Sequence, residues 1–257
     1  DQALRGMPGA KRVLRDGRRQ AVDDVENIRS PRAGDHIALS IDQRLQFIAY
    51  REIKAAVKRH RAKSASLVLL DARSGEVLAM VNQPSYNPNK PATGAEGLRN
   101  RAMTDVFEPG STMKPFTVAA ALDAGSITVT TTIDTSPGYF YVGRSQVKDS
   151  KNLGPIDVAT VLGRSSNVGA SKIALGLEKR ELWAVMDRLG FGSSAQTGFP
   201  GEVAGQLSDY RRWAQIDQAT LAFGYGISVT TLQLAQAYAA LANDGVLFPV
   251  SLLKRDA

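Results

Sequence analysis

The chain has 257 residues, 43% hydrophobic and 22% charged, a balance ordinary for a globular domain. It has no cysteine and two histidines, which excludes disulfides, thiolate nucleophiles, thiolate metal sites and a histidine-built metal cluster. Much of the net charge of +7 comes from residues 1–32 and the rest is scattered without interleaved aromatics, which argues against nucleic acid as a partner.

That basic excess fits a solvated face or attraction to an anionic envelope surface. No apolar run reaches the roughly 18 residues of a membrane span, and residues 1–20 lack the apolar core of a signal peptide. Any anchor or export signal of the parent protein is therefore expected outside this chain.

Residues 12–22 read as a hairpin turning at Asp16-Gly17, followed by an acidic stretch and Ser30-Pro31. Residues 1–36 are expected to be the tail of another module plus a linker, and residues 37–257 the main domain. That domain opens with a short strand at 37–41 and a helix that Asp42 can cap. Leu45, Ile48, Ala49, Ile53, Ala56 and Val57 give the helix an apolar face. It ends at Lys58-Arg59-His60-Arg61, where positive charge suits the helix dipole. His36 and His60 are expected to be structural or exposed.

A hairpin follows, with strands at 66–71 and 76–81 flanking Arg73-Ser74-Gly75. Its near-continuous apolar character predicts burial on both faces. Residues 83–97 form a loop rich in Pro, Asn and Gly. Beyond residue 125 the chain reads as mainly helical, with loops at Ser136-Pro137-Gly138 and Phe199-Pro200-Gly201-Glu202. The last strong element is a helix near 230–243, where Leu234, Tyr238 and Leu241 share a face and Gly245 follows. There are no internal repeats.

The run Phe107-Glu108-Pro109-Gly110-Ser111-Thr112-Met113-Lys114-Pro115-Phe116 carries the first chemical signal. A Pro-Gly turn delivers Ser111 to the start of an alanine-rich helix over 117–123 that stops at Gly125. Positions i and i+3 share a helix face, so the Ser111 hydroxyl and the Lys114 amine can meet. Packing on the Val118 and Leu122 side would partly bury Lys114 and lower its pKa, making it a general base beside a nucleophile. Ser-x-x-Lys occurs three times where chance gives about one. Ser145 with Lys148 lies in extended chain, and Ser251 with Lys254 has no helix to sit on. Only Ser111 has the turn before it and the helix after it.

Ser-x-Asn also occurs three times. Ser85-Tyr86-Asn87 falls in the Pro/Asn loop and Ser150-Lys151-Asn152 in a polar turn. Ser165-Ser166-Asn167 alone lies between two apolar helical segments, 156–162 and 168–177. There Ser165 can relay a proton to a leaving group while the Asn167 amide holds a substrate carbonyl. Capping of the next helix is the competing role and the commoner one for these residue types. Beside Ser111 and Lys114, the catalytic role is the preferred reading.

With these motifs in hand, the chain resembles the transpeptidase domain of class B penicillin-binding proteins, in particular the division-specific members of Gram-negative bacteria. The likeness runs nearly the whole length. It includes Ser40-Ile41-Asp42-Gln43-Arg44-Leu45-Gln46, Gly75-Glu76-Val77-Leu78-Ala79-Met80, Pro84-Ser85-Tyr86-Asn87-Pro88-Asn89, Arg99-Asn100-Arg101-Ala102, Ser165-Ser166-Asn167-Val168-Gly169 and Phe223-Gly224-Tyr225-Gly226. The resemblance implies an α/β fold of the α+β type, shared with serine β-lactamases, in which helices cover an antiparallel sheet. It implies that Ser111 attacks the D-Ala-D-Ala carbonyl of a peptidoglycan stem peptide. Lys114 would act as base, and Ser165 with Lys114 would pass the proton to the leaving amine. Substrate-binding roles fall on Ser111, Ser165 and Asn167. An amine on a neighbouring stem would resolve the acyl-enzyme, and β-lactam antibiotics would trap it. No cofactor or metal is implied. The implied setting is the periplasmic face of the inner membrane at the division septum, with divisome membrane proteins as partners.

One departure stands out. The family's third motif, Lys-Ser/Thr-Gly, is absent, and Arg73-Ser74-Gly75 precedes the nucleophile and turns a hairpin. In the family that motif follows the point where this sequence stops, along with three sheet strands and a helix. It supplies a clamp for the substrate carboxylate and half of the oxyanion hole. The chain is therefore expected to be an incomplete stretch of an active enzyme, its sheet lacking the C-terminal strands. The rivals are a serine β-lactamase, for which no base to activate water is found after Ser165, and a non-catalytic scaffold or β-lactam sensor.

Overall fold

The computed structural model describes residues 3–90 and 97–255. Residues 91–96, part of the loop expected at 83–97, lie outside the described residues. The chain divides into two units, Asp1–Ser40 with Leu253–Ala257, and Ile41–Leu252.

In the smaller unit, β1 (Ala10–Arg15) and β2 (Ala21–Arg29) pair antiparallel. Asp16 fixes the turn, its carboxylate accepting from the backbone N–H of Arg18 at 2.9 Å and of Gln20 at 2.8 Å. The acidic residues expected after the hairpin lie within β2, where Lys11 meets Asp24 at 2.8 Å and Arg12 meets Glu26 at 2.9 Å. All four side chains are exposed, so these pairs contribute little. The strand expected at 37–41 is reduced to one bridge, Leu39 to Leu253, because no continuous row of partners lies beside it.

In the larger unit, Asp42 caps α1 (Gln43–His60), its side chain accepting from the N–H groups of Arg44 and Leu45. The Arg44 guanidinium, together with those bonds, lowers its carboxyl pKa to about 2. Ala49 and Ile53 bury the inner stripe of α1 against Ala79 and Val81. Ile48, expected on that stripe, is 47% exposed, beside Phe47 at 62%. The strands β3 (Ala65–Leu70) and β4 (Val77–Gln83) form the expected antiparallel hairpin. Asp71 accepts from the backbone of Arg73 and Ser74 in its turn. Gly75 is required there, since a Cβ would fall 2.3 Å from the Pro249 carbonyl oxygen. Both faces of the hairpin are covered. One meets α1, and the other packs on Met103 of α2 (Arg101–Thr104), Leu232 and Val250.

A 3-10 turn, Gly110–Met113, runs into α3 (Lys114–Asp123). Gly125, at φ +66, follows its end as expected. Phe116, Thr117, Val118, Ala120 and Ala121 are buried, while Leu122, expected inside, is 38% exposed at the last turn. Two short antiparallel pairs follow, β5 (Thr132–Asp134) with β8 (Pro155–Asp157) and β6 (Tyr139–Val142) with β7 (Ser145–Lys148). The helix expected over 156–162 is the shorter α4 (Val158–Gly163), because Ile156 pairs with Ile133 and Asp157 becomes the cap. Then come α5 (Asn167–Leu175), α6 (Lys179–Arg188), α7 (Gln215–Leu221) and α8 (Thr231–Ala242). Thr230 and Gln233 form a capping box at the start of α8. The buried residues of α8 are Leu232, Gln233, Gln236, Ala237 and Ala240, whereas Tyr238 and Leu241, on the apolar face noted in the sequence, are 38% and 39% exposed. The main core lies around α3, α5 and α6, through Phe116, Val168, Ile173, Leu182 and Phe191. The architecture is a mixed α/β one of antiparallel strand pairs and covering helices.

Candidate active site

Ser111 sits on a turn held from three sides. Phe107 exchanges two backbone hydrogen bonds with Val229, each 3.0 Å, which anchors the entry to the turn. The backbone N–H of Gly110, at φ +59, donates to the carbonyl of Gly224 at 3.2 Å, and the two backbones nearly touch. A Cβ on Gly224 would stand 2.1 Å from the Gly110 carbonyl oxygen, so only glycine fits. Gly226 N–H donates to Glu108 Oε1 at 3.1 Å, and Tyr238 donates its hydroxyl to the Thr112 carbonyl at 2.9 Å. Met113 and Phe116, both fully buried, fix the turn to the core. The Tyr238 ring meets that of Phe116 edge-on, with centroids 5.0 Å apart.

This turn places Ser111 Oγ 2.9 Å from Lys114 Nζ. Lys114 is 1% exposed. Its amine also donates to the carbonyl oxygen of Ser165 at 2.7 Å and to Ser165 Oγ at 2.8 Å. Burial lowers its pKa to about 8, against the opposing pull of the Asp149 carboxylate. The other two Ser-x-x-Lys pairs have no such setting. Ser145 and Lys148 lie along β7, and Ser251 with Lys254 lies outside any helix.

The Ser165-Ser166-Asn167 run divides its two expected roles between residues. Ser166 is the N-cap of α5, its Oγ accepting from Gly169 N–H at 2.8 Å. Ser165, at φ +55, is the residue turned to Lys114. The Asn167 side chain donates to the Lys148 carbonyl at 3.2 Å. Ser111, Ser165 and Asn167 line one cleft of about 500 Å³, with Asp149, Lys151, Leu153 and Arg164 on its remaining walls. All four candidates from the sequence thus meet at one place. Arg73-Ser74-Gly75 lies in the turn between β3 and β4.

Sequence reasoning missed Asp149. It stands next to Ser150-Lys151-Asn152, a run set aside as a polar turn, and no periodicity distinguishes it from other surface acids. Its Oδ2 accepts from Ser166 Oγ at 2.6 Å. Its Oδ1 accepts from the N–H of Asn167 at 2.5 Å and of Val168 at 3.1 Å.

The arrangement is that of an acyl-transfer site, a hydroxyl nucleophile beside a buried amine with a second hydroxyl in reach. Comparison with known proteins agrees with that chemistry. The family described as the penicillin binding protein transpeptidase domain matches residues 65–257. A probable peptidoglycan D,D-transpeptidase PenA of Neisseria flavescens is 46% identical over 99% of this chain and 64% of its own length. The peptidoglycan D,D-transpeptidase FtsI of Escherichia coli is 42% identical over 100% of this chain and 43% of its own. The chain therefore spans between 43% and 64% of the length of these relatives. Among solved structures, a peptidoglycan glycosyltransferase from Burkholderia ambifaria superposes with a TM-score of 0.79 at 44% identity, covering 85% of this chain and 66% of that one. The transpeptidase domain of Burkholderia pseudomallei penicillin-binding protein 3 gives 0.78 at 42% identity, covering 85% and 62%.

Proposed function

The chain belongs to the penicillin-binding protein transpeptidase family, and from that premise we propose that it carries the nucleophile of a peptidoglycan D,D-transpeptidase. The observation that carries the reading is the Lys114 amine, 1% exposed and within hydrogen-bond distance of both the Ser111 and Ser165 hydroxyls. A neutral amine has two N–H donors and one lone pair. With both hydrogens given to Ser165, the lone pair faces the Ser111 hydroxyl, and no buried polar atom of the amine is left unpaired. Burial favours that neutral form and lowers the pKa to about 8, so a minor fraction of Lys114 is able to take a proton near neutral pH and the larger part becomes able to above about pH 8.

Ser111 Oγ then attacks the carbonyl carbon between the two D-alanines of a stem peptide, and its proton passes to Lys114 Nζ. The C–N bond breaks as the leaving D-alanine amine takes a proton. Ser165 is suited to deliver it, giving its own proton to the amine while its oxygen takes from Lys114 the proton that came from Ser111, so that both residues return to their starting forms. The Asn167 amide lines the same cleft and would hold the substrate's amide carbonyl. The ester left on Ser111 is attacked by an amine of a second stem, which forms the cross-link and restores the hydroxyl. A β-lactam enters the same path, but its opened ring stays tethered and the adduct persists.

The likeness to division-specific relatives supports placing this reaction at the septum, on the periplasmic face of the inner membrane, with divisome membrane proteins as partners. No helix among the described residues is long and apolar enough to cross a membrane. The hairpin of the smaller unit is read in the same way, as part of the remnant of an N-terminal pedestal module that, with a linker, makes up residues 1–36. The test is intact-protein mass after incubation of the full-length protein with benzylpenicillin. We expect a stable adduct on the parent and none on Ser111→Ala. An adduct on both proteins would move the nucleophile elsewhere. No adduct on the parent would overturn the reading, and steady turnover of the drug would replace it with a hydrolase.

A further inference from the structure

We propose that Arg164 and Lys151 form a carboxylate subsite at the amine end of the cleft, which selects an acceptor bearing an acid on the carbon next to its attacking amine. The inference rests on the acyl-transfer reading above and deepens it by naming the chemistry of the second substrate.

Chain order around Ser165 gives the cleft two ends. Asn167, on one side, holds the amide carbonyl of the acyl half, and Ser165 itself serves the departing amine. Arg164 and Gly163, on the other side, line the cleft beyond it, and Lys151 and Leu153 line it from the segment after β7. Formation of the ester and its resolution are one exchange run in opposite directions, so the incoming amine takes the place that the departing one held. Groups next to the incoming nitrogen therefore meet Arg164 and Lys151.

These two cations are unpaired. Among the described residues neither side chain has a hydrogen bond or an ion pair. The one acid lining the cleft, Asp149, already accepts from Ser166, Asn167 and Val168. Two cations against one engaged acid leave this end net positive, and Leu153 is the one large apolar side chain among its described lining residues. A carboxylate suits such a place better than an apolar or cationic group. The planar guanidinium fork takes both of its oxygens at once, and the ammonium adds a point charge on a flexible stem. Exposed, unpaired cations are ordinary on a chain with 32 Lys and Arg. This pair differs in place, since the two come from separate segments and border a cleft of about 500 Å³ that also holds Ser111. The departing D-alanine carries an acid on the corresponding carbon, but the family resemblance gives that group to the third motif, which leaves the acceptor as the occupant.

The experiment acylates the full-length protein with a neutral N-acyl-D-alanyl thioester, so that only the acceptor brings a carboxylate. D-Alanine and D-alaninamide, which differ in that acid, then compete for the ester. The reading is the ratio of the D-alanine product to the D-alaninamide product, for the parent, Arg164→Gln, Arg164→Lys and Lys151→Gln. Both acceptors draw on the same acyl-enzyme, so slower acylation or a smaller folded fraction cancels from the ratio. The difference in basicity between the two amines cancels between proteins. We expect the ratio to fall about tenfold in Arg164→Gln and about threefold in Lys151→Gln. Arg164→Lys keeps the charge without the fork and should lie between the parent and Arg164→Gln. Added salt should lower the parent's ratio in the same direction. A ratio that stays at the parent's value in every variant overturns the inference. So does a loss confined to acylation by a D-Ala-D-Ala donor, which would give the subsite to the departing carboxylate. A parent that forms no acyl-enzyme, or passes it to neither amine, overturns the transpeptidase reading instead.

Discussion

The two walls of the cleft are built in different ways. The wall bearing Ser111 is held by apolar packing and by backbone against backbone. Met113 and Phe116 are fully buried, and Gly224 lies so close to Gly110 that no side chain fits between them. The wall bearing Ser165 and Asn167 is held by polar bonds to Lys148 and Asp149 at the cleft itself. Close packing resists displacement on all sides and does not respond to pH. Hydrogen bonds to a carboxylate are strong only while it is charged and fully paired. The nucleophile thus rests on a rigid frame, and the proton relay on a network whose strength is electrostatic.

The contrast is broken most directly at Gly224. Gly224→Ala places a methyl group 2.1 Å from the Gly110 oxygen at φ +87, so the nucleophile turn must move or the residue must strain. We expect a loss of about 3 kcal/mol in urea unfolding. Acylation by benzylpenicillin should fall on the order of a hundredfold with it. Near-parental rates would mean that the backbone contact does not set the turn.

Ser166→Ala probes the other wall. It removes the cap of α5 and one bond to Asp149, and should cost about 1–2 kcal/mol by the same unfolding assay. If the polar wall is the softer one, acylation should slow by about tenfold, more than the lost stability accounts for. A loss confined to stability would make Ser166 a cap and nothing else.

The smallest effect is expected at Tyr238→Phe. It deletes the bond to the Thr112 carbonyl but leaves the ring against Phe116. We expect less than about 1 kcal/mol and no more than about a twofold change in acylation. A tenfold drop would show the nucleophile turn to depend on one hydrogen bond, and would erase the distinction between the walls.

How much of this was legible in the sequence depends on the range of the interaction. The α1 and α3 helices and the 66–81 hairpin follow from local periodicity, and the Ser111–Lys114 approach from the spacing of a single helical turn. Burial was less legible. Ile48, Leu122, Tyr238 and Leu241 fit an apolar helical pattern yet are exposed or half-exposed, because a helix's own period does not say which neighbours will be present. The strand at 37–41 failed for a related reason, since a strand exists only where a partner pairs with it.

The sequence by itself determined the family, the candidate nucleophile and base, and the two short motifs, since each is a property of adjacent residues. Tertiary structure alone decided that Ser165, 51 positions from Lys114, completes its hydrogen bonds, that Ser166 rather than Ser165 caps α5, and that Asp149 joins the site. The physical reason is that a hydrogen bond depends on separation in space. No spacing rule connects residues brought together by the packing of α3, α5 and the end of β7.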